Sequence, residues 1–206
     1  MLSKPIKSKI FQLYTLSRLR LKANIQGTYL GYFWWLIEPA LLIAVYSYLL
    51  SLLLRGASSE MVFSIAVGIV NWKWWQSSLQ AATKSITKSK RIVTEINFNF
   101  LLLPFAEIFS QTYLYFFGFC ILVIFGIAFG YSPNFNYLNL PFLFLVNIGF
   151  LISIGALLAL VNIFIRDLEV IISFVLRILF YITPIIYTPD VVPAKFSFIV
   201  EFNPLA

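Results

Sequence analysis

The chain has 206 residues, 61% of them hydrophobic and 11% charged, with a mean hydropathy of +0.90. Soluble globular domains carry about 25% charged and about 45–50% apolar residues, so that class is excluded. The net charge of +7 would suit nucleic acid, but the basic residues are confined to certain connections. That confinement is the pattern of membrane orientation, and no nucleic-acid partner is expected.

The apolar residues come in continuous runs without period-two alternation, which implies helices and excludes a transmembrane barrel. Residues 1–31 mix Lys4, Lys7, Lys9, Arg18, Arg20 and Lys22 with Ile6, Ile10, Phe11, Leu13, Leu16 and Leu19. This mixture predicts a basic amphipathic helix lying in the inner interface, where anionic lipid attracts it. A solvated tail is the plainer alternative. No cleavable-signal pattern precedes the first apolar run, so that span is expected to act as its own insertion signal.

Five spans follow, each near the roughly 20 apolar residues a bilayer requires. They cover residues 32–54, 61–82, 105–129, 140–165 and 170–187. Outer connections fall at Arg55–Glu60, Gly130–Leu138 and from Thr188 onward; inner ones are the N-terminal region, Lys84–Glu95 and the tight turn Arg166–Glu169. Eleven Lys or Arg then lie inside, Arg55 and Lys195 lie outside, and Lys73 and Arg177 lie within spans. By the excess of inner cations the N-terminus is cytoplasmic. Pro104 interrupts a run too long for one untilted span, so the third span is expected to begin near it. The four prolines from Pro184 onward break the last apolar stretch, which must lie at the surface or against protein.

The basic island KSITKSKRIVTE, Lys84–Glu95, cannot sit cheaply in hydrocarbon and is predicted to be a cytoplasmic connection. Ser85, Ile86, Ile92 and Val93 give it a partly apolar side, as a short helix resting on a partner requires. An ordinary orienting loop is the alternative. Lys73 and Arg177 are cations at membrane depth, and each should face a polar interior unless it snorkels. Glu107 is the expected partner of one of them. Among the abundant aromatics, Trp34 and Trp35 suit an interfacial belt, whereas Trp72, Trp74 and Trp75 lie too deep for one; rings inside a pore would stack on sugar faces.

No His is present, which excludes His-based acid–base chemistry and His-ligated metal. No GxxxxGK[ST] sequence occurs, so the chain does not hydrolyse nucleotide by itself. The lone Cys120 supports neither a disulfide nor a metal site. Glu38, Glu95, Glu107, Asp167 and Glu169 are scattered, and nothing argues for an enzyme or a cofactor.

Three blocks carry a resemblance: GTYLGYFWWLIEP; GIVNWKWW with SITKSKRIVTEINFNFLLLP; and RDLEVIISFVLRILFYITPIIYTPDVVP followed by EFNPLA. Together they resemble the permease subunits of ABC-2-type polysaccharide exporters, which serve O-antigen, capsule and teichoic acid export. The resemblance implies an all-α polytopic fold of six spans, in a homodimer with a second permease copy, working with a cytoplasmic ABC ATPase on a lipid-linked glycan in the bacterial inner membrane. It makes Ser85, Lys88, Lys90, Arg91, Ile92 and Val93 the coupling segment to the ATPase and places Arg166 and Asp167 in a cytoplasmic turn. Trp34, Trp72, Phe180 and Tyr181 become candidates for the glycan path. Residues 8–26 match the family's interfacial helix, and residues 188–206 match its external gate region. A sixth span is expected after Asn203–Ala206, which predicts that the sequence is partial. The alternative function is a secondary transporter or channel using Lys73, Glu107 and Arg177 as coupling charges; no internal repeat supports it.

Overall fold

The apolar runs fold as helices. The computed structural model describes residues 6–25, 29, 31–53, 59–89, 99–128, 130 and 135–185. Among the described residues there are six α-helices and no strand. They are α1 (Ile6–Ile25), α2 (Trp34–Leu53), α3 (Ser59–Lys88), α4 (Leu102–Ala128), α5 (Leu140–Phe164) and α6 (Leu168–Ile182). Short 3-10 turns, Gly31–Phe33 and Phe135–Asn139, lead into α2 and α5. Gly31 has φ of 48°, a left-handed conformation that a side chain resists, so the turn before α2 suits glycine.

The third helix is the hub. It packs against α2, α4, α5 and α6, while α1 lies along α4. Its apolar and small residues are buried nearly all round, among them Ile65, Ile69, Trp72, Trp75, Leu79 and Ala82, as a central helix requires. By contrast, α5 buries one stripe only, Leu151, Gly155, Ala159 and Asn162, spaced to fall on one face. A methyl added at Gly155 would sit 2.9 Å from Ile108 Cδ1 and 3.0 Å from the Ala82 methyl, so this glycine lets α5 reach α3 and α4 closely. The rest of α5 turns Phe142, Leu145, Phe150, Leu157, Ile163 and Phe164 outward. Apolar surface on that scale is normally covered by lipid or by another chain.

Side-chain hydrogen bonds fix the helix directions. Trp74 Nε1 donates to Thr112 Oγ1 (3.1 Å) and Tyr115 OH to Asn71 Oδ1 (2.9 Å), so α3 and α4 are antiparallel. Trp75 Nε1 donates to Asn147 Oδ1 (2.9 Å) and Asn162 Nδ2 to Thr87 Oγ1 (3.2 Å), so α3 and α5 are parallel. The end of α3, the start of α4 and the α5–α6 turn therefore share one end of the bundle. Lys84, Lys88, Arg166, Asp167 and Glu169 all lie at that end.

Two of these helices, α4 and α5, are long and apolar enough to cross a bilayer by length and composition. The 15 residues of α6 rise only about 22 Å, short of a hydrocarbon core of roughly 30 Å. The 30 residues of α3 rise about 45 Å, but Lys73, Lys84 and Lys88 dilute its hydropathy.

Three helix boundaries bear on the sequence expectation. The second apolar run and the start of the basic island form one helix, so Lys84–Lys88 is the end of α3 and begins no separate short helix. No Gly or Pro lies between Ala82 and Lys88 to break the helix; cations end the hydrocarbon stretch and leave the helix intact. The fourth helix starts at Leu102 with Pro104 in its first turn, where a missing N–H costs nothing. The sixth ends at Ile182, because Thr183 precedes Pro184 and takes an extended ψ of 134°. Lys90, Arg91, Ile92 and Val93, and the gate-like stretch 188–206, lie outside the described residues.

Candidate functional site

The last turn of α3 is held by polar side chains on two sides. On one side Arg20 Nε of α1 meets Glu107 Oε1 of α4 at 3.2 Å, and the same guanidinium donates to Ser89 Oγ just past α3. Lys84 and Lys88 add to the positive field at Glu107. Glu107 is buried because it lies in the second turn of α4, covered by α1. Arginine suits such a site, since its forked donors serve two acceptors at once.

On the other side Thr87, Asn162 and Glu169 meet. Asn162 Nδ2 donates to Glu169 Oε1 (3.0 Å) and to Thr87 Oγ1 (3.2 Å). The Thr87 hydroxyl faces two acceptors, Glu169 Oε1 at 3.1 Å and its own helix's Lys84 carbonyl at 3.0 Å, and its single proton serves one at a time. An ionised carboxylate only accepts, so the amide nitrogen of Asn162 must be the end that faces Glu169. Glu169 lies in the first turn of α6, where the helix dipole favours its charge. Asn162 is fully buried and its Oδ1 has no partner, at a cost of about 1–3 kcal/mol. Leucine would continue the apolar stripe of α5 without that cost.

The predicted residues divide as follows. Ser85 is fully buried in the last turns of α3, with its hydroxyl unpartnered, whereas Lys88 is exposed. Arg166 and Asp167 form the exposed turn between α5 and α6 that the sequence predicts. The expected pairing of Glu107 with Lys73 or Arg177 is corrected: Glu107 pairs with Arg20, and Lys73 Nζ reaches Glu38 Oε1 of α2 at 2.5 Å. Depth explains it, since Ile108 meets Gly155 beside Ala82, which puts neighbouring Glu107 about 14 Å along α3 from Lys73, toward the charged end. Arg177 is exposed on α6, with no ion pair among the described residues.

Of the candidate path residues, Trp34 and Tyr181 are exposed. Phe180 is half-buried, its ring centroid 5.7 Å from Trp72 and 5.8 Å from Tyr46. Trp72 is buried in the core, so in this arrangement its ring is closed to a passing polymer. A shallow open groove between α3 and α4 is lined by Lys73, Trp74, Ser77, Gln111 and Tyr115. Arg20, Thr87 and Asn162 escape sequence reasoning as site residues. Asn162 alone left a trace there, as a single amide inside the run LLALVNIFI.

A helical bundle with apolar outward faces and charges gathered at one end has the build of a helical membrane protein. No family model matches the chain. Along 187 residues it is 26% identical to an O-antigen export system permease protein RfbA of Klebsiella pneumoniae, covering 90% of this chain and 72% of that protein. It is also 26% identical over 175 residues to the O-antigen export system permease protein RfbA of Myxococcus xanthus, covering 85% of this chain and 67% of that one. The chain is thus homologous to O-antigen export permeases, and the resemblance carried by its three sequence blocks stands.

Proposed function

We propose that this chain is the permease subunit of an ATP-driven exporter that moves a lipid-linked polysaccharide across the bacterial cytoplasmic membrane. Its substrate class is O-antigen, capsular polysaccharide or teichoic acid. It works as one of two permease copies, and ATP is hydrolysed on a separate cytoplasmic ABC subunit. The similarity to export permeases along nine-tenths of the chain carries this reading. The geometry supports it: exposed Lys88 and the turn Arg166–Asp167 share one end of the bundle, where a cytoplasmic motor would press. In this reading that end is cytoplasmic, α2 to α6 alternate across the bilayer, and α1 lies along the inner surface with Phe11, Tyr14 and Leu19 exposed beside Arg18 and Lys22. Residues 85–93 seat on the ATPase, with Ser85 facing the bundle and Lys88 facing the partner. Trp34 and Tyr181 border the glycan path.

The secondary-transporter reading needs Lys73, Glu107 and Arg177 to exchange partners. Lys73 and Glu107 belong to separate pairs far apart on the bundle, which gives it no support. The test is replacement of Lys88, Lys90 and Arg91 together by Ala. ATPase co-purification or surface polysaccharide falls about tenfold if this segment couples the two subunits. Unchanged association together with unchanged export would refute the coupling role.

A further inference from the structure

Thr87 belongs to the connector and Glu169 to the turn that the sequence predicts, but nothing in the sequence joins them through Asn162, and packing does not account for the cluster. Its three side chains come from three helices and meet at the foot of the bundle, with Asn162 fully buried. The parallel helices α3 and α5 also touch through apolar and small side chains and through a bond from Trp75 to Asn147. Such contacts resist separation but permit sliding, because dispersion has no direction. A hydrogen bond to a carboxylate is shorter, stronger and directional, so a triad built on one fixes the register of the last turn of α3 against α5 and α6.

We propose that Asn162, with Thr87 and Glu169, is a positioning cluster that makes the end of α3 and the α5–α6 turn move as one rigid body, so that a push on the connector reaches α5 and α6. The inference rests on the permease reading and adds to it the route of the stroke. Thr87 lies one residue from exposed Lys88, and Glu169 lies two residues after Asp167 in the exposed turn. One cluster thus joins the two segments that a cytoplasmic motor can touch. Leucine at position 162 removes both of the amide's contacts while keeping the site apolar and filled, so it cuts α5 out of the cluster without opening a cavity and leaves the Thr87–Glu169 contact in place. Glu169→Gln keeps the shape and removes the charge.

The test measures polysaccharide exported per ATP hydrolysed, by the permease with its own ATPase in cells. Export is read by periodate labelling of polysaccharide on intact cells, and hydrolysis by phosphate release from isolated membranes. Asn162→Leu is expected to assemble with the ATPase and hydrolyse ATP within about twofold of the parent while export per ATP falls about tenfold, with Glu169→Gln showing a smaller fall. Unchanged export per ATP in Asn162→Leu would overturn the proposal. So would loss of that variant from the membrane, which marks a merely structural role. A parent complex that contains no ATPase would instead sink the permease reading, so the two failures are distinguishable.

Discussion

Around Trp72, Trp74 and Trp75 the central helix is held by rings and methyl groups; around Thr87 and Ser89 it is held by carboxylates and a guanidinium. In the middle, the Trp74 ring stacks against Tyr115 at 4.4 Å and Phe144 at 5.3 Å, and single neutral hydrogen bonds satisfy the indole N–H groups. At the charged end, Glu169 gathers donors from α3 and α5, and Arg20 of α1 ties Glu107 of α4 to Ser89. In hydrocarbon, helices gain little by burying apolar surface against each other, so close packing and small residues decide which helices adjoin. Charge-assisted bonds are roughly twice as strong as neutral ones and demand one geometry. The middle of α3 therefore selects its neighbours, and its end fixes how they are aligned.

Four substitutions at three places test this contrast. The largest effect is expected in the middle, where Gly155→Leu drives a side chain into Ile108 and Ala82. It costs about 3 kcal/mol, read as a lower melting point in detergent and a lower membrane yield. At the charged end, Glu107→Ala leaves Arg20 without its partner and costs about 2 kcal/mol, discounted because that guanidinium is partly exposed. The damage is local: hydrogen exchange accelerates in α1 and is unchanged in α5. Acceleration in α5 would show that the two regions are not separate. The smallest effect is expected for Lys73→Met or Glu38→Gln, whose side chains are 26% and 50% exposed. Each costs about 1 kcal/mol or less, and the double variant costs no more than either single one.

Much of the bundle is legible in the sequence. Long apolar runs announce helices, and the basic islands announce which connections lie together. Helix ends are less legible, because hydropathy reports where lipid ends and says little about where hydrogen bonding ends. That is why α3 continues through Lys84 to Lys88. Pro104 and Pro184 are better guides, since they act on the backbone directly. The partners of charged residues are the least legible. Glu107 invites pairing with Lys73 at similar span depth, but its true partner, Arg20, comes from a helix outside the apolar runs. Asn162 is visible as a polar residue in an apolar run, yet only the turn that folds Glu169 back beside it reveals its role.

In the proposed function the charged end of the bundle faces the cell interior, where a separate motor can push it. That orientation is tested most directly by placing a cysteine at position 88, with Cys120 replaced by alanine, and treating cells with a membrane-impermeant maleimide. No labelling is expected in intact cells, and full labelling in inverted membrane vesicles stripped of the ATPase. Labelling of Lys88→Cys in intact cells would contradict it.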